Sequence, residues 1–254
     1  MVNRWSSLLA HRVLANSSGV AGLLAREEGV PREKIVEIPN FLGEDAFEGA
    51  GEAVRVAQRR AWGLPDEAFA IGIVARLSPV KNHVLLLRAV AQLDARFHLI
   101  VIGDGPSRAG LEELAARLGI ESRVHFAGEV VAPYNLHQFF DVSVLCSLSE
   151  GFPNSVIEAM AAARPVVATP VGGVTDAVTH GVSGILVPVD DLAPLVDALR
   201  LLEADSLLRT RLGEAGRETV RMKFRQEIVI EKLSALYEML ADRRPAATFG
   251  RANG

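Results

Sequence analysis

The strongest constraint on the fold is a unit that the chain repeats between residues 70 and 188. Each unit is a short apolar run rich in β-branched residues, a turn containing Gly, Pro, Ser or Asp, and a segment with helical spacing of apolar residues. Because the apolar runs are nearly continuous, each strand should be covered by helices on both faces. The pattern therefore predicts an α/β fold with a doubly wound parallel sheet and right-handed crossovers.

The positions of the predicted elements follow from these periodicities. Strands are expected at residues 69–74, 97–102, 124–126, 142–146, 165–169 and 185–187. Helices are expected at residues 83–93, 108–118, 135–139, 154–163, 191–203, 207–220 and 226–240.

The first 48 residues are predicted to be a separate βαβ fragment, with a strand at 12–15, a helix at 19–28 capped by Ser17 and a strand at 34–38. Two strands and one helix cannot close a hydrophobic core. The fragment is therefore expected to lean on the rest of the chain or on a partner, including self-association through residues 1–48, and its apolar side chains should be partly uncovered.

The remaining boundaries are set by composition. Residues 43–51 carry three glycines and three acids that interrupt any periodicity, so they are the expected linker. The predicted division places the fragment and linker at 1–48, the main domain at 49–224, a C-terminal helix at 225–243 and a disordered tail at 244–254.

Composition excludes several classes of function. A net charge of −4 supplies no global positive field, so nucleic acid is not an expected partner. The single Cys146 excludes an internal disulfide and a cysteine-ligated zinc, and the six histidines show no metal-ligand spacing. Neither a spanning apolar segment nor a secretory leader is present in the sequence, which predicts a cytoplasmic protein.

The loop after the first strand of the main domain carries two cations, Arg76 and Lys81, just before a helix. In an open parallel sheet, ligands bind beyond the carboxyl ends of the strands. A guanidinium and an ammonium placed there can bind a diphosphate between them. The alternative interpretation is a solvated loop with incidental charges.

The loop after the fourth strand leads from Glu150 through Pro153 into a helix that contains Glu158. Pro153 suits the first helical position, which would leave the N–H groups of Asn154 and Ser155 free for an anion. Carboxylates beside a phosphate are favourable where they face hydroxyls, so a nucleotide sugar fits both features. The alternative is that both glutamates have ordinary solvated roles.

Taken together, several motifs resemble glycosyltransferase family 4, a family of retaining, nucleotide-sugar-dependent enzymes of GT-B fold. The glutamates Glu150 and Glu158, with seven residues between them, match that family's signature. The other matching motifs are Ala75-Arg76-Leu77-Ser78-Pro79-Val80-Lys81-Asn82, Ile102-Gly103-Asp104-Gly105-Pro106, Glu150-Gly151-Phe152-Pro153-Asn154, Glu158-Ala159-Met160, Gly172-Gly173 and Asn40 after Ile38-Pro39. The order and spacing of these motifs over residues 12–240 make the match specific.

The resemblance implies a role for each position. Arg76, Lys81 and Glu150 would be the catalytic set, with the two cations on the donor diphosphate and Glu150 on the sugar hydroxyls. Glu158 would contact the nucleotide ribose. The remaining donor-binding positions implied are Gly103, Val130, Val131, Gly151, Phe152, Asn154 and Ser155, with the base near Glu129. Such enzymes need no metal or other cofactor for donor binding.

The sequence also departs from the family's pattern at some positions. Ala75 and Asp176 stand where many relatives have glycine and glutamate. The chain resembles only the Rossmann-like donor-binding half of such an enzyme with a remnant of the acceptor-side domain, which leaves membrane contact open. Two functions are therefore expected. The first is a retaining transferase that is inactive without a chain supplying the missing domain, and the second is a catalytically silent nucleotide-sugar binding module. A Rossmann oxidoreductase is disfavoured, since the GxGxxG fingerprint is missing.

Overall fold

The computed structural model describes residues 9–131 and 135–242, and its strands form two parallel sheets. The strands are β1 (Val13–Ala15), β2 (Ile35–Glu37), β3 (Phe69–Val74), β4 (Phe97–Ile102), β5 (Val124–Gly128), β6 (Val142–Leu145), β7 (Val166–Ala168) and β8 (Ile185–Leu186). The small sheet pairs β1 with β2, and the main sheet has the order β5-β4-β3-β6-β7-β8. The predicted doubly wound α/β fold is confirmed.

Helices cover both faces of the main sheet. The α-helices of the described residues are α1 (Ser18–Arg26), α2 (Glu52–Ala61), α3 (His83–Ala91), α4 (Arg108–Arg117), α5 (Asn154–Ala161), α6 (Val174–Ala177), α7 (Leu192–Ala204), α8 (Ser206–Lys223) and α9 (Gln226–Ala241). Short 3-10 helices occupy Arg32–Lys34, Glu44–Phe47, Pro79–Lys81, Glu121–Arg123 and Leu136–Phe139. The segment predicted as a helix at 135–139 is therefore a 3-10 turn.

Strand β3 shows how the sheet separates two hydrophobic layers. Phe69, Ile71 and Ile73 pack with residues of α3 and α7, while the alternate positions face Phe139 and Phe140. At Gly72 a Cβ would lie 1.9 Å from Cδ2 of Phe140, so the aromatic ring fills the space that any side chain would need. Trp62 stacks on Phe140 with ring centroids 6.0 Å apart and closes this layer.

The βαβ fragment leans on the main domain through the start of α1. Ser17 caps α1, with its Oγ accepting from the N–H of Val20 at 3.1 Å, and the same hydroxyl donates to the carbonyl of Gly151 at 2.7 Å. Ser18 donates from its N–H at 2.8 Å and from its Oγ at 2.5 Å to the carboxylate of Asp176. The fragment thus touches the loop that follows β6 and the short helix α6 that follows β7.

The apolar side chains of the fragment are only partly covered. Val13 and Leu24 are buried in a small core of their own with Ala15, Ala21 and Val30. In contrast, Leu14 and Leu23 are about half exposed. The uncovered side chains are compatible with the predicted self-association, which stays a prediction.

The segment predicted as a linker is fixed to the main domain. Its 3-10 helix Glu44–Phe47 buries Phe47, whose carbonyl accepts a hydrogen bond from Arg217 at 2.7 Å. Just before it, the N–H of Leu42 donates to the carbonyl of Phe224 at 2.9 Å. The glycines and acids of 43–51 therefore permit a turn that packs on α8 rather than a free linker.

Two further expectations concern the C-terminal tail and membrane-spanning helices. The predicted disordered tail at 244–254 lies outside the described residues. Within the described ranges, none of the helices combines the length and the apolar composition required to cross a bilayer.

Candidate functional site

A crevice opens where the order of the main sheet reverses, between β3 and β6. Gly72 of β3 pairs with Ser143 of β6, so the carboxyl ends of these two strands lie side by side. The loops that follow them meet there, because the N–H of Leu148 donates to the carbonyl of Val80 at 2.8 Å. In doubly wound sheets this reversal point is where ligands bind.

The two loops bring a cation and a carboxylate together. Nζ of Lys81 lies 2.5 Å from Oε1 of Glu150, and the Glu150 side chain is only 7% exposed. The same oxygen accepts from Oγ of Ser147 at 2.6 Å, and Thr169 fixes that turn by donating to the carbonyl of Ser147 at 2.6 Å. Glu150 is therefore held in one orientation at the crevice, as a group that positions a ligand must be.

Arg76 lies in the same loop as Lys81, and its side chain is exposed to solvent. Its guanidinium forms no hydrogen bond or ion pair with any residue in the described part of the chain. It lines an open pocket of about 700 Å³ together with Gly103, Asp104, Gly105 and Glu129. An anion can therefore approach Arg76 without displacing a protein partner.

Gly103 has a structural role that the sequence did not indicate. Its φ is +126°, and a Cβ there would lie 2.2 Å from the carbonyl oxygen of Ala75. Its N–H already donates to the carbonyl of Gly128 at 2.8 Å. Gly103 thus lets the end of β4 approach the Arg76 loop. Its N–H is already used and is not free to donate a hydrogen bond to a nucleotide sugar.

The amino end of α5 differs from the prediction. Pro153 is the residue before the helix rather than its first residue. The N–H of Asn154 turns back to the carbonyl of Phe152 at 3.2 Å, so it is not free as predicted. The described residues supply no acceptor to the N–H of Ser155, which leaves this donor for an anion at the positive end of the helix dipole.

The side chains around this turn are held by the fold. Phe152 is buried, with its ring 5.6 Å from that of Phe224, so only its backbone faces the crevice. The side-chain amide of Asn40 donates to Oδ1 of Asn154 at 2.8 Å. The carbonyl of Gly151 accepts the hydrogen bond from Ser17 described above, which joins the loop to the fragment.

Glu158 lines a second pocket at the same edge of the sheet. The pocket has a volume of about 360 Å³, and its lining includes Val74, the last residue of β3. Oε2 of Glu158 lies 3.7 Å from Nε2 of His137, while Asn135 donates to the Glu158 carbonyl at 2.6 Å. Glu150 and Glu158 thus line different parts of the carboxyl edge, as one elongated ligand would require.

The predicted base-binding edge is only partly described. Val130 packs against the layer that contains Phe139, whereas Val131 is fully exposed. Glu129 lines the Arg76 pocket. Residues 132–134 lie outside the described residues, and no group of three or more His, Cys, Asp or Glu able to hold a metal occurs in the part of the chain that the structure describes.

A glycine turn after β7 supports the backbone of Glu150. Gly172 has φ +55°, and a Cβ there would lie 1.9 Å from the carbonyl oxygen of Glu150. The next residue, Gly173, donates its N–H to the carbonyl of Gly151 at 3.0 Å. Close backbone approach here is therefore required by the loop that carries Glu150.

His83 is a buried residue beside the site that sequence reasoning treated only as lacking metal spacing. It follows Lys81 by two positions, is 4% exposed, and neither ring nitrogen has a hydrogen-bond partner among the described residues. Burial, and secondly the charge of Lys81, lower the pKa of His83 from 6.5 to about 4. The folded chain therefore holds His83 neutral.

Because His83 is held neutral, we expect the free energy of unfolding to fall in acid. The unfolded state binds the proton more readily, so the contribution of His83 is present above pH 6.5 and is lost as the pH falls from 6.5 to about 4. The loss is about 3 kcal/mol. Urea unfolding at pH 7 and pH 4.5 should show a smaller pH effect in His83→Leu than in wild type. An exposed control, His11→Ala, should match wild type, and an unchanged pH effect in His83→Leu would contradict the assignment.

The sequence and the fold both match known glycosyltransferases. The D-inositol 3-phosphate glycosyltransferase of Kribbella flavida is 33% identical over 252 residues, which covers 93% of this chain and 58% of that protein. The lipopolysaccharide core biosynthesis glycosyltransferase LpsE of Rhizobium meliloti is 32% identical over 231 residues, covering 91% of this chain and 64% of that protein. The chain thus spans less than two thirds of these relatives.

The fold is also similar to that of solved glycosyltransferase structures. The crystal structure of Anabaena Alr3699/HepE in complex with UDP and glucose superposes with a TM-score of 0.85 at 25% identity, covering 94% of this chain and 66% of that one. The architecture is that of GT-B glycosyltransferases. Residues 54–219, from α2 into α8, match the family described as Glycosyl transferases group 1. This match covers more than half of the chain, which therefore belongs to the group 1 glycosyl transferase family.

Proposed function

We propose that this chain binds a nucleoside diphosphate sugar in the crevice between β3 and β6 and forms the donor half of a retaining glycosyltransferase. The observation that carries the proposal is the contact between Lys81 and Glu150 at 2.5 Å, in a loop that also carries Arg76, whose side chain has no partner among the described residues. A cation pair next to a fixed carboxylate suits a ligand in which a diphosphate adjoins sugar hydroxyls. A simple anion would gain nothing from Glu150.

The known relatives support this assignment of the donor. The Anabaena neighbour was crystallised with UDP and glucose, and the Kribbella relative is a D-inositol 3-phosphate glycosyltransferase. These ligands and acceptors belong to those proteins. For this chain we propose a nucleotide-sugar donor, with base, sugar and acceptor to be determined.

The residues of the crevice would assist transfer by electrostatics. Breaking the anomeric C–O bond places negative charge on the leaving diphosphate. Arg76, Lys81 and the free N–H at the start of α5 would stabilise that charge by several kcal/mol in a site without bulk water. Glu150 would hold the sugar by accepting from its hydroxyls. The cations take the role of countercharge, so we propose that donor binding proceeds without a metal.

Turnover requires a second domain that covers the crevice and excludes water, because Arg76 is exposed to solvent in this chain. We therefore propose that the chain binds donor but transfers little sugar without a domain facing it. A silent nucleotide-sugar binding module makes the same binding prediction and differs only in turnover.

Calorimetry tests the donor proposal. Titration with UDP, GDP and ADP in the presence of EDTA should show binding of at least one nucleotide, which Arg76→Ala and Lys81→Ala weaken. Donor hydrolysis or transfer, measured with and without a protein supplying the facing domain, then separates the transferase from the silent module. Absence of binding at millimolar nucleotide would exclude both.

A further inference from the structure

The pocket that Glu158 lines also contains a buried ring nitrogen without a hydrogen-bond partner. His137 is 2% exposed and lines this pocket of about 360 Å³ together with Glu158. Its Nε2 is buried and forms no hydrogen bond with any residue that the structure describes. A buried N–H donor that lacks an acceptor is costly in a folded protein, and most such donors are paired. This nitrogen therefore needs an explanation.

The other side of the His137 ring is held in place. Its Nδ1 lies 2.8 Å from Oγ of Ser143, a buried residue of β6. The ring also packs edge-on against Phe140, with ring centroids 5.7 Å apart. The tautomer with its proton on Nε2 satisfies the contact with Ser143, because the hydroxyl then donates to Nδ1. This tautomer directs an N–H group at whatever lies beyond Nε2.

A carboxylate oxygen lies beyond Nε2, just outside hydrogen-bond distance. Oε2 of Glu158 is 3.7 Å from Nε2 of His137, and the Glu158 side chain is 38% exposed. In the described part of the chain, no other side chain holds this carboxylate by a hydrogen bond or ion pair. A small rotation of Glu158 would bring Oε2 within reach of the Nε2–H group. The second carboxylate oxygen would then be free for a ligand.

The backbone of Glu158 is tied to the turn that carries His137. The side-chain amide of Asn135 donates to the carbonyl of Glu158 at 2.6 Å, and its Oδ1 accepts from the N–H of His137 at 3.0 Å. One side chain thus links the 3-10 helix Leu136–Phe139 to α5. Because both backbones are fixed, only the Glu158 side chain has to move to complete the hydrogen bond.

We propose that His137 positions Glu158 to bind the ribose of the nucleotide, by donating from Nε2 to Oε2 when the nucleotide is bound. This inference rests on the proposed nucleotide-sugar donor. In that ligand the diphosphate lies at Arg76 and Lys81 and the transferred sugar at Glu150, so the ribose carries the hydroxyls that remain for a second carboxylate. A carboxylate only accepts, so fixing one oxygen leaves the other for the ribose hydroxyls. Hydrogen bonds that are long in a ligand-free site often shorten in the complex.

Calorimetry with ribose and deoxyribose nucleotides tests this role in the whole chain. The probes are the nucleoside diphosphate that binds best, its 2′-deoxy form and its 3′-deoxy form. Wild type should prefer the ribonucleotide to at least one deoxy form by about tenfold. His137→Phe keeps a ring and removes the N–H group. In this variant the affinity for the ribonucleotide should fall about tenfold, while the affinity for that deoxy form should change by less than about twofold.

A double variant shows whether His137 acts through Glu158. In a Glu158→Ala background the carboxylate is already absent, so adding His137→Phe should change ribonucleotide affinity by less than about twofold. His98→Phe is a matched control. His98 is also buried, but its Nδ1 lies 3.0 Å from Nε2 of His125 on the β4–β5 side of the sheet. This control should keep the preference for ribose.

The outcomes distinguish a positioning residue from a structural one. A merely structural His137 would weaken ribose and deoxyribose nucleotides equally when replaced, which would overturn the inference. If His137→Phe fails to fold, Ser143→Ala, which removes the partner of Nδ1, should lower the ribose preference instead. The inference is also overturned by a wild type without ribose preference, by a preference that persists in the folded variant, or by an undiminished effect of His137→Phe in the Glu158→Ala background. Absence of binding by every nucleotide would instead overturn the proposed donor function and this inference with it.

Discussion

Replacing Lys81 with alanine is expected to weaken binding of the preferred nucleoside diphosphate about 100-fold, measured by calorimetry. The change removes a charge-assisted contact to the diphosphate, worth about 1.5 to 3 kcal/mol. It also leaves the carboxylate of Glu150, which is 7% exposed and 2.5 Å from Nζ of Lys81, without its countercharge. That carboxylate would then repel the incoming phosphates.

A double variant separates these two effects. Adding Glu150→Gln to Lys81→Ala removes the repulsion, so the double variant should bind the same nucleoside diphosphate more tightly than Lys81→Ala alone. The exposed Lys232 on α9 offers a control, and Lys232→Ala should bind like wild type. Binding by Lys81→Ala within twofold of wild type would show that the diphosphate does not lie at this cation.

Gly172→Ala is expected to lower both stability and donor affinity. A Cβ at this position would lie 1.9 Å from the Glu150 carbonyl oxygen, and the backbone has φ +55°. Together the left-handed conformation and the overlap should destabilise the chain by about 3 kcal/mol. That corresponds to a melting temperature about 10 °C lower. Because relief of the overlap moves Glu150, binding of the nucleotide-sugar donor should weaken about tenfold.

A matched glycine separates the effect of the steric overlap from the effect of the left-handed backbone conformation. Gly181 has φ +74° with no atom within 4 Å of a built Cβ. Gly181→Ala therefore suffers only the conformational penalty, about 1 kcal/mol, and should keep full donor affinity. Equal melting temperatures for the two variants would mean that Gly172 does not support the Glu150 loop.

Much of the donor crevice was predictable because it follows from local sequence. The bounds of β3 and β4 are those predicted, since strands buried on both faces read as continuous apolar runs. The loop after β3 carries Arg76 and Lys81, and the loop after β6 carries Glu150. Once the sheet is parallel and doubly wound, the reversal point brings these loops together.

Other features depend on packing that the sequence does not display. Helix α2 escaped prediction because its composition is strongly polar and it buries none of its residues, although its few apolar side chains do lie on one face. The contact of Ser18 with Asp176 joins positions 158 residues apart. Such long-range relations leave no pattern in neighbouring residues.

The most direct test of the donor assignment is a crystal structure of the chain soaked with a sugar conjugate of the nucleotide that binds it in calorimetry. We expect the diphosphate between Arg76, Lys81 and the N–H of Ser155, with a sugar hydroxyl donating to Glu150 and the ribose near Glu158. A nucleotide bound elsewhere, with Lys81 still paired to Glu150 and neither in contact with it, would contradict the account.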